Sequence, residues 1–258
     1  MKTIAFTREI SDSIDQCELT HLDRLPIDLA KARAQHVVFE QILRELGCEV
    51  RRIAEAHDLP DAVFVQDAAL VFDEIAVLAR PGAESRRPEV AYLGEAISPL
   101  RPIGRIDHPG TLDGGDVVVM GKNVFVGQTP RTNREGAEQL AAILRPHGYS
   151  VESVPVTGCL HLQTAVTPVA DDLILVNHRW VDPGLFGDIS CIDVSPDEPF
   201  AANALRVGRT LVYPNTFPKT QSLLEARGLH VVPVDLSELA KAEAGVTCCC
   251  ILVPPLSR

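Results

Sequence analysis

The chain has 258 residues, 46% of them apolar, and its 35 acidic and 24 basic residues give a formal net charge of −11 at pH 7. This length and apolar content suffice for one large or two small folded domains and exclude a disordered, collagenous or coiled-coil chain. The negative charge argues against nucleic acid as a partner and is compatible with a cationic small molecule.

The sequence also bears on the cellular compartment. Residues 1–8 contain no apolar core of a signal peptide, and no stretch approaches the ~18 apolar residues that a membrane-spanning helix needs. The seven cysteines are irregularly spaced, and no two follow a C-x-x-C pattern. This usage favours free thiols in a reducing compartment. We therefore expect a soluble, cytoplasmic protein that needs no metal and does not bind a membrane.

The first predicted elements are a strand at residues 3–7 and a helix at residues 30–46. Residues 60–67, P-D-A-V-F-V-Q-D, then alternate in a way that predicts a strand. On such a strand Asp61 and Asp67 would point to the same side. Two carboxylates in one cleft would suit a substrate that carries an amine and a second cation.

One pattern recurs along the chain: an apolar strand, a polar turn, a second strand and a corner that contains proline. It occurs at residues 68–82, 117–133 and 204–220. Predicted helices follow the second and third copies, at residues 134–145 and 221–227. Both helices stop near a glycine, Gly148 or Gly228, as C-terminal caps do, and each leads into another strand.

The repeats predict a ring of five α/β units. A weaker copy lies at residues 164–177, and the apolar run at residues 249–253 predicts a last strand that would pair beside the first. Because no linker or low-complexity tract interrupts the chain, we expect a single domain over residues 1–258. An ordinary α/β sandwich is the alternative fold.

Two short motifs are candidates for chemistry. Residues 112–116, L-D-G-G-D, place two glycines between two acids, so the backbone can approach another group closely there. The alternative is a tight turn before a strand at residues 117–120. His161 lies between two leucines, and a histidine there is either a hydrogen-bonded structural residue or a proton carrier whose tautomer a partner fixes.

Arginines are placed at the corners that follow predicted strands. At such corners a guanidinium can bind a carboxylate with two parallel hydrogen bonds, and the alternative is a solvated loop charge. The corner arginines are Arg80, Arg86, Arg87, Arg131 and Arg134.

Three consecutive cysteines lie near the end of the chain. On a strand their side chains would alternate, so the three thiols cannot easily bind one metal ion. Cys249 is predicted to be a buried core thiol, and Cys248, directly after G-V-T, lies where solvent and substrate can reach it. No role is assigned to Cys159 or Cys191.

Taken together, these motifs resemble the dimethylarginine dimethylaminohydrolase family over nearly the whole chain. The matching pieces are E-L-T-H-L (18–22), P-D-A-V-F-V-Q-D (60–67), R-P-G-A-E-S-R-R (80–87), L-D-G-G-D-V (112–117), R-T-N (131–133), L-H-L (160–162), A-A-N (201–203) and V-T-C-C (246–249). The resemblance implies the five-bladed α/β propeller, or pentein fold, of the guanidine-modifying enzymes. It also implies hydrolysis of Nω-methylated arginines to citrulline and an alkylamine, without a cofactor.

The resemblance implies a role for each of three catalytic residues. Cys248 corresponds to the nucleophile, His161 to the general acid and base, and Asp113 to the acid that orients the histidine. A thiolate would attack the guanidinium carbon and form a covalent S-alkylthiouronium intermediate. We expect the bound guanidinium cation itself to favour the thiolate.

The substrate-binding residues are implied in the same way. Asp67 would hold the guanidinium, and Arg86 and Arg131 would bind the α-carboxylate.

The α-amine would bind to Asp61, together with the backbone carbonyls of Leu19 and Ala242. Gln66 departs from the family pattern, which usually has a glutamate there. If the Gln66 side chain reaches the guanidinium, affinity or the preferred N-substituent should change; if it faces elsewhere, little should follow.

Two alternative functions stay open at this point. One is an arginine deiminase-like hydrolase of free arginine or another guanidino compound, although deiminases are longer and carry an additional helical region. The other is a pentein that binds without catalysis, against which the joint presence of Cys248, His161 and Asp113 argues. The sequence leaves a monomer or a homodimer equally open.

Overall fold

The structure is a computed structural model that describes residues 2–54 and 56–256. The described residues form fifteen strands in five three-stranded sheets. The strands are β1 (Ile4–Arg8), β2 (Glu49–Ile53), β3 (Ala69–Val71), β4 (Ala76–Leu78), β5 (Ile103–Arg105), β6 (Val117–Met120), β7 (Asn123–Gln128), β8 (Ser150–Pro155), β9 (Val166–Ala170), β10 (Leu173–Val176), β11 (Ser190–Asp193), β12 (Leu205–Val207), β13 (Thr210–Pro214), β14 (His230–Val234) and β15 (Ile251–Val253). The α-helices are α1 (Leu29–Glu45), α2 (Glu89–Ile97), α3 (Arg134–Leu144), α4 (Leu162–Ala165), α5 (Pro218–Ala226) and α6 (Ser237–Ala240).

All five sheets follow one plan. The middle strand pairs antiparallel with one neighbour and parallel with the other, in the orders β15-β1-β2, β3-β4-β5, β6-β7-β8, β9-β10-β11 and β12-β13-β14. A parallel pair needs a crossover, and helices α1, α2, α3 and α5 supply it in four sheets. Between β10 and β11 the short 3-10 helix Pro183–Phe186 takes that place.

The sheets are arranged as a closed ring. Strand β15 contacts β3, and β9 contacts both β6 and β12. Each of five clusters of buried apolar side chains joins two neighbouring sheets, and together the clusters fill all five junctions of the ring. Ile4 pairs with Val253, so the two ends of the chain share one sheet. The predicted ring of five α/β units and its closure by the chain ends are confirmed.

The predicted helices are confirmed to within a few residues. Helix α1 begins after Asp28, whose side chain accepts a hydrogen bond from the Lys31 N–H group, and Asn133 caps α3 in the same way. Helix α5 begins earlier than the prediction of residue 221, because Pro218 fits the first helical turn, where no N–H partner is needed. Gly148, after α3, has the left-handed φ of 79° that a helix end favours.

The predicted strand at residues 60–67 is absent, and the predicted last strand begins later than residue 249. Residues 60–67 form turns and the 3-10 helix Val65–Ala68. Most of their backbone hydrogen bonds run three residues back along the chain, as from Asp67 N–H to the Phe64 carbonyl, and the one from Gln66 N–H to the Cys248 carbonyl does not make a strand ladder. The last strand begins at Ile251, because Cys248 N–H similarly bonds to the Gly245 carbonyl. The three cysteines therefore do not alternate on a strand, although Cys249 is fully buried as predicted.

The repeat also explains where polar residues gather. In each sheet the strand that pairs antiparallel with the middle strand is preceded by a turn that carries a polar side chain. The residues in these turns are Asp67 before β3, Asp113 before β6, His161 before β9, Asn203 before β12 and Cys248 before β15. Because these five strands line the ring, their preceding turns bring chemistry from all five units to one region.

Candidate active site

A small cavity of about 20 Å³ lies among these turns. Cys248 and His161 both line it, although they are far apart in sequence. Its wall also carries the carboxylates of Glu18, Asp61, Asp67 and Glu243 and the guanidinium groups of Arg86 and Arg131. Four carboxylates against two arginines favour a cationic ligand, in agreement with the charge of the chain.

Cys248 is held by the turn that precedes β15. Its Sγ accepts a hydrogen bond from the Gly245 N–H group at 3.4 Å. Burial raises the pKa of the Cys248 thiol to about 12, and the nearby Asp67 carboxylate adds to this rise. The free site therefore holds a protonated thiol at neutral pH.

His161 lies between two carboxylates. Its Nε2 is 3.1 Å from Oδ2 of Asp113, and its Nδ1 is 3.9 Å from Oδ1 of Asp67. Burial lowers the pKa of His161, but Asp67, Asp116 and Asp113 outweigh burial and raise the pKa to about 9. The ring packs on Gly115, where an added Cβ would lie 2.7 Å from Nδ1, so only glycine fits.

Asp113 is fully buried and fixed from two sides. Its Oδ1 accepts a hydrogen bond from the Gly82 N–H group at 2.9 Å, and its own N–H donates to the Thr132 hydroxyl at 3.1 Å. A carboxylate held in this way fixes the orientation of the imidazole that it contacts.

Asp116, the second acid of the D-G-G-D motif, is one of the carboxylates that raise the pKa of His161. The hydroxyls of Thr129 and Thr132 both donate to its Oδ2 at 2.6 Å, and the Leu162 N–H donates to its Oδ1 at 3.0 Å. Burial raises the pKa of Asp116 to about 6. No role for Asp116 was predicted from the sequence, although the D-G-G-D motif was the available signal.

Arg86 and Asp67 are paired with one another. Arg86 Nη1 donates to Asp67 Oδ2 at 2.5 Å, and Nη2 donates to Glu89 Oε2 at 2.9 Å. All three side chains are buried. The sequence predicted separate roles for Arg86 and Asp67 and missed Glu89. Two carboxylates already balance the charge of Arg86. Arg131 is therefore the arginine of the cavity that is more available to an anionic group of a ligand.

The remaining predicted residues lie on one side of the cavity. Arg131 Nη2 donates to the Thr20 hydroxyl at 3.2 Å. Asp61 accepts a hydrogen bond from the Glu18 N–H group at 3.1 Å, and burial raises the pKa of Asp61. Ala242 lines the cavity, whereas half-buried Leu19 belongs to the adjoining segment and is not in the wall itself.

Gln66 does not line the cavity. Its Nε2 donates to Oε1 of Gln163 at 3.0 Å, and Gln163 in turn donates to the Val117 carbonyl at 2.7 Å. The Oε1 atom of Gln66 is buried and accepts no hydrogen bond. The side chain thus faces another amide, which is the arrangement for which the sequence predicts little effect on the substrate.

Among the described residues, Asp67, Asp113 and His161 form a group that could hold a metal ion. One ligand atom from each lies within 4.8 Å of the others. However, Asp67 already pairs with Arg86, and the raised pKa of His161 favours a proton on the ring. A metal ligand must give up that proton, so the electrostatics favour an imidazolium here.

Comparison with known proteins decides the family. Residues 5–184 match the family model described as "N,N dimethylarginine dimethylhydrolase, eukaryotic". An N(G),N(G)-dimethylarginine dimethylaminohydrolase of Streptomyces coelicolor is 38% identical over 246 residues, which cover 95% of this chain and 94% of that protein. The enzyme of the same name from Pseudomonas aeruginosa is 33% identical over 237 residues, or 91% of this chain and 92% of that protein. The chain belongs to the dimethylarginine dimethylaminohydrolase family.

A solved structure supports the same assignment. It is a cysteine-to-serine variant of the Pseudomonas aeruginosa dimethylarginine dimethylaminohydrolase in complex with citrulline. It is 31% identical, covers 98% of this chain and 100% of its own, and superimposes with a TM-score of 0.92. The predicted family and the predicted pentein propeller are therefore confirmed, and the chain is a member of a hydrolase family. The part of the chain that the structure describes contains no helix that could span a membrane.

Proposed function

We propose that this chain hydrolyses a guanidinium C–N bond of Nω-methylated L-arginine and releases L-citrulline and methylamine or dimethylamine. The observation that carries the proposal is the convergence of Cys248 and His161 on one cavity, with Asp113 3.1 Å from the imidazole. Membership of the dimethylarginine dimethylaminohydrolase family and the citrulline complex of its Pseudomonas aeruginosa member support the same reaction.

In this proposal the substrate is held by charge at both ends. Asp67 binds the substrate guanidinium through a carboxylate that also pairs with Arg86, while Arg131 binds the α-carboxylate. Asp61, which burial disfavours as an isolated anion, gains a cation when the α-ammonium binds. Gln66 stays outside the contact with the substrate, because its amide is bonded to Gln163.

The first half of the reaction forms a carbon–sulfur bond. When the substrate binds, the Cys248 thiol releases its proton to solvent, and the thiolate attacks the guanidinium carbon and gives a neutral tetrahedral adduct. The His161 imidazolium then donates its proton to the methylated nitrogen, and the C–N bond to that nitrogen breaks. The products of this half are a free alkylamine and a cationic S-alkylthiouronium on Cys248.

The second half consumes one water molecule. Neutral His161 accepts a proton from the water, and the resulting hydroxide adds to the thiouronium carbon. Collapse of this adduct breaks the carbon–sulfur bond, expels the Cys248 thiolate, releases one proton and leaves the ureido group of citrulline. Asp113 keeps the imidazole in place in both halves, as the third member of a catalytic triad does.

The charges of the free site explain why a cation must bind first. Cys248 has a pKa of about 12 and His161 a pKa of about 9, so the cavity that both line holds a thiol and an imidazolium at neutral pH. Part of the rise at Cys248 comes from Asp67. A guanidinium bound to Asp67 places a positive charge beside the sulfur and offsets that negative charge, which favours the thiolate.

The test is a citrulline assay with arginine, monomethylarginine and dimethylarginine side by side. We expect turnover of the two methylated substrates, a loss of at least about 10³-fold in Cys248→Ala, and about 10²- to 10⁴-fold slower turnover in Asp113→Asn. Preferential turnover of free arginine would instead favour a deiminase. Absence of turnover with all three compounds would overturn the proposed hydrolase.

The location and assembly of the chain remain predictions of the sequence. We propose that the protein acts in the cytoplasm, as a monomer or a homodimer, on a small cationic amino acid. Sedimentation of the purified protein distinguishes the two assemblies.

A further inference from the structure

Glu243 has the most unusual backbone among the described residues. With a φ of 59°, it is the one residue other than glycine that adopts the left-handed region in the part of the chain described. A side chain with a Cβ makes this conformation costly, and such strain persists where the surrounding structure requires it. Glu243 directly follows Ala242, whose carbonyl is a predicted ligand of the substrate amine.

The side chain of Glu243 holds a neighbouring segment in place. Its Oε1 accepts hydrogen bonds from three consecutive backbone N–H groups, those of Thr20, His21 and Leu22, at 3.0, 2.5 and 2.6 Å. This segment has no helix or strand of its own to fix it. It directly follows Leu19, whose carbonyl is the other predicted ligand of the amine, so Glu243 links the two carbonyls.

The second carboxylate oxygen of Glu243 is left without a partner. Oε2 is buried and makes no hydrogen bond. Glu243 lines the catalytic cavity and also a neighbouring cavity of about 260 Å³, which shares Leu160 and Ala244 with it. A buried carboxylate oxygen without a donor is costly, and a cation beside it removes that cost.

Asp61 is a second carboxylate in the same part of the cavity wall as Glu243. Cys17 is buried, and its pKa is raised first by burial and then by the nearby charges of Asp61 and, to a smaller extent, Glu243, while Arg24 opposes the rise. Asp61 and Glu243 also both line the catalytic cavity. Asp61 is also the predicted partner of the α-amine.

We infer that Glu243 is a positioning residue for the α-ammonium group of the substrate. One oxygen fixes the segment that presents the Leu19 carbonyl, and the other adds negative charge beside the ammonium that Asp61 binds. The inference rests on the proposed function for the identity of the ligand. Glu243 thereby makes the enzyme selective for α-amino acids over guanidino acids that lack the amine.

The test compares dimethylarginine with its desamino analogue, the same molecule with hydrogen in place of the α-amino group. The ratio of kcat/KM for the two compounds measures the contribution of the amine. We expect this ratio to fall about tenfold in Glu243→Gln, mainly through KM for dimethylarginine, because a hydrogen-bonded charge near a cation is lost. The desamino analogue should change by less than about twofold.

Glu243→Gly is a second variant for the same measurement, to be used if Glu243→Gln folds poorly. Glycine adopts a φ of 59° without strain, so this variant removes the carboxylate and the backbone cost together. It should show the same fall in the ratio. Glu95→Gln, on an exposed face of α2, removes an equal charge outside the cavity wall and should leave the ratio unchanged.

The outcomes separate this inference from the proposed function. If the wild-type chain hydrolyses dimethylarginine and the ratio is unchanged in both Glu243 variants, Glu243 is only structural and the inference is wrong. If the wild-type chain hydrolyses neither compound, calorimetric binding of the same two compounds replaces turnover. A binding preference for the amine that depends on Glu243 then supports the inference alone, and its absence overturns the inference as well.

Discussion

The Nδ1 atom of His161 lies 3.9 Å from Oδ1 of Asp67, on the side of the ring opposite to Asp113. The imidazole is thus placed between the carboxylate that orients it and the carboxylate proposed to bind the substrate guanidinium. When the guanidinium neutralises Asp67, the Cys248 thiolate is favoured. The pKa of His161 falls at the same time, because Asp67 no longer raises it. Nucleophile and general acid are activated together.

The pKa of His161 predicts a pH dependence of stability. The pKa is about 9 in the folded chain, against 6.5 for an unperturbed histidine. A raised pKa contributes stability that is fully present below pH 6.5 and is lost as the pH rises through 9, and the difference corresponds to about 3 kcal/mol. We expect the unfolding free energy of the wild-type chain to fall by that amount, relative to His161→Gln, over this interval. Denaturant titrations at several pH values measure it, and parallel curves for the two proteins would contradict the assignment.

Activation of Cys248 by a cation predicts different pH profiles for two alkylating reagents. Iodoacetamide is neutral, and a haloacetamidine carries an amidinium that can bind Asp67. Alkylation of Cys248 by the neutral reagent should rise only toward its pKa of about 12, and the cationic reagent should react at distinctly lower pH. Peptide mass spectrometry separates Cys248 from exposed Cys191, which serves as an internal control. Coincident profiles at Cys248 would exclude activation by the ligand.

Asp116 is predicted to stabilise the fold because it accepts hydrogen bonds from three donors. Asp116→Ala would leave two threonine hydroxyls and the Leu162 N–H without their partner inside the protein. We expect a loss of about 3 kcal/mol in unfolding free energy, measured with urea. Asp116→Asn keeps one acceptor oxygen and should lose less. Equal stability of the alanine variant and the wild-type chain would show that this network is dispensable.

Gln66→Glu restores the usual residue of the family and should change the stability more than the substrate preference. A carboxylate at this position would face Oε1 of Gln163, so we expect a loss of about 1–2 kcal/mol. The kcat/KM values for mono- and dimethylarginine should stay within about twofold. Gln41→Glu is a suitable control, because Gln41 also donates to a side-chain oxygen but is exposed to water. A large change in the ratio of the two substrates would place residue 66 in the site.

Much of this architecture was predictable from the sequence because it depends on local patterns. Apolar strands, prolines at corners and glycines such as Gly148 at helix ends predict the repeated unit and its ring, and the resemblance to the family implies the same fold. Through the same resemblance, the motif V-T-C-C predicts that Cys248, and not its neighbouring cysteines, is the nucleophile. The alternation at residues 60–67 misled the prediction, since turn hydrogen bonds, not a ladder, fix that segment.

What the sequence could not reveal depends on contacts between distant residues. Asp67 shares the charge of Arg86 with the nearby Glu89, but it lies 19 residues before Arg86, and no local pattern links the two. Likewise, a glutamate gives no signal of a left-handed backbone, so Glu243 was not a candidate until its φ and its bonds to residues 20–22 were known. Gln66 was ambiguous for the same reason, because its partner Gln163 lies 97 residues away.

The most direct test of the whole account is mass spectrometry of the protein quenched with acid during turnover of dimethylarginine. We predict a covalent adduct with the mass of an S-alkylthiouronium, and fragmentation of the cysteine-rich peptide should assign it to Cys248 and not to Cys249 or Cys250. The adduct should be absent from Cys248→Ser. Sustained citrulline formation without any adduct, or an adduct on a different cysteine, would contradict the proposed mechanism.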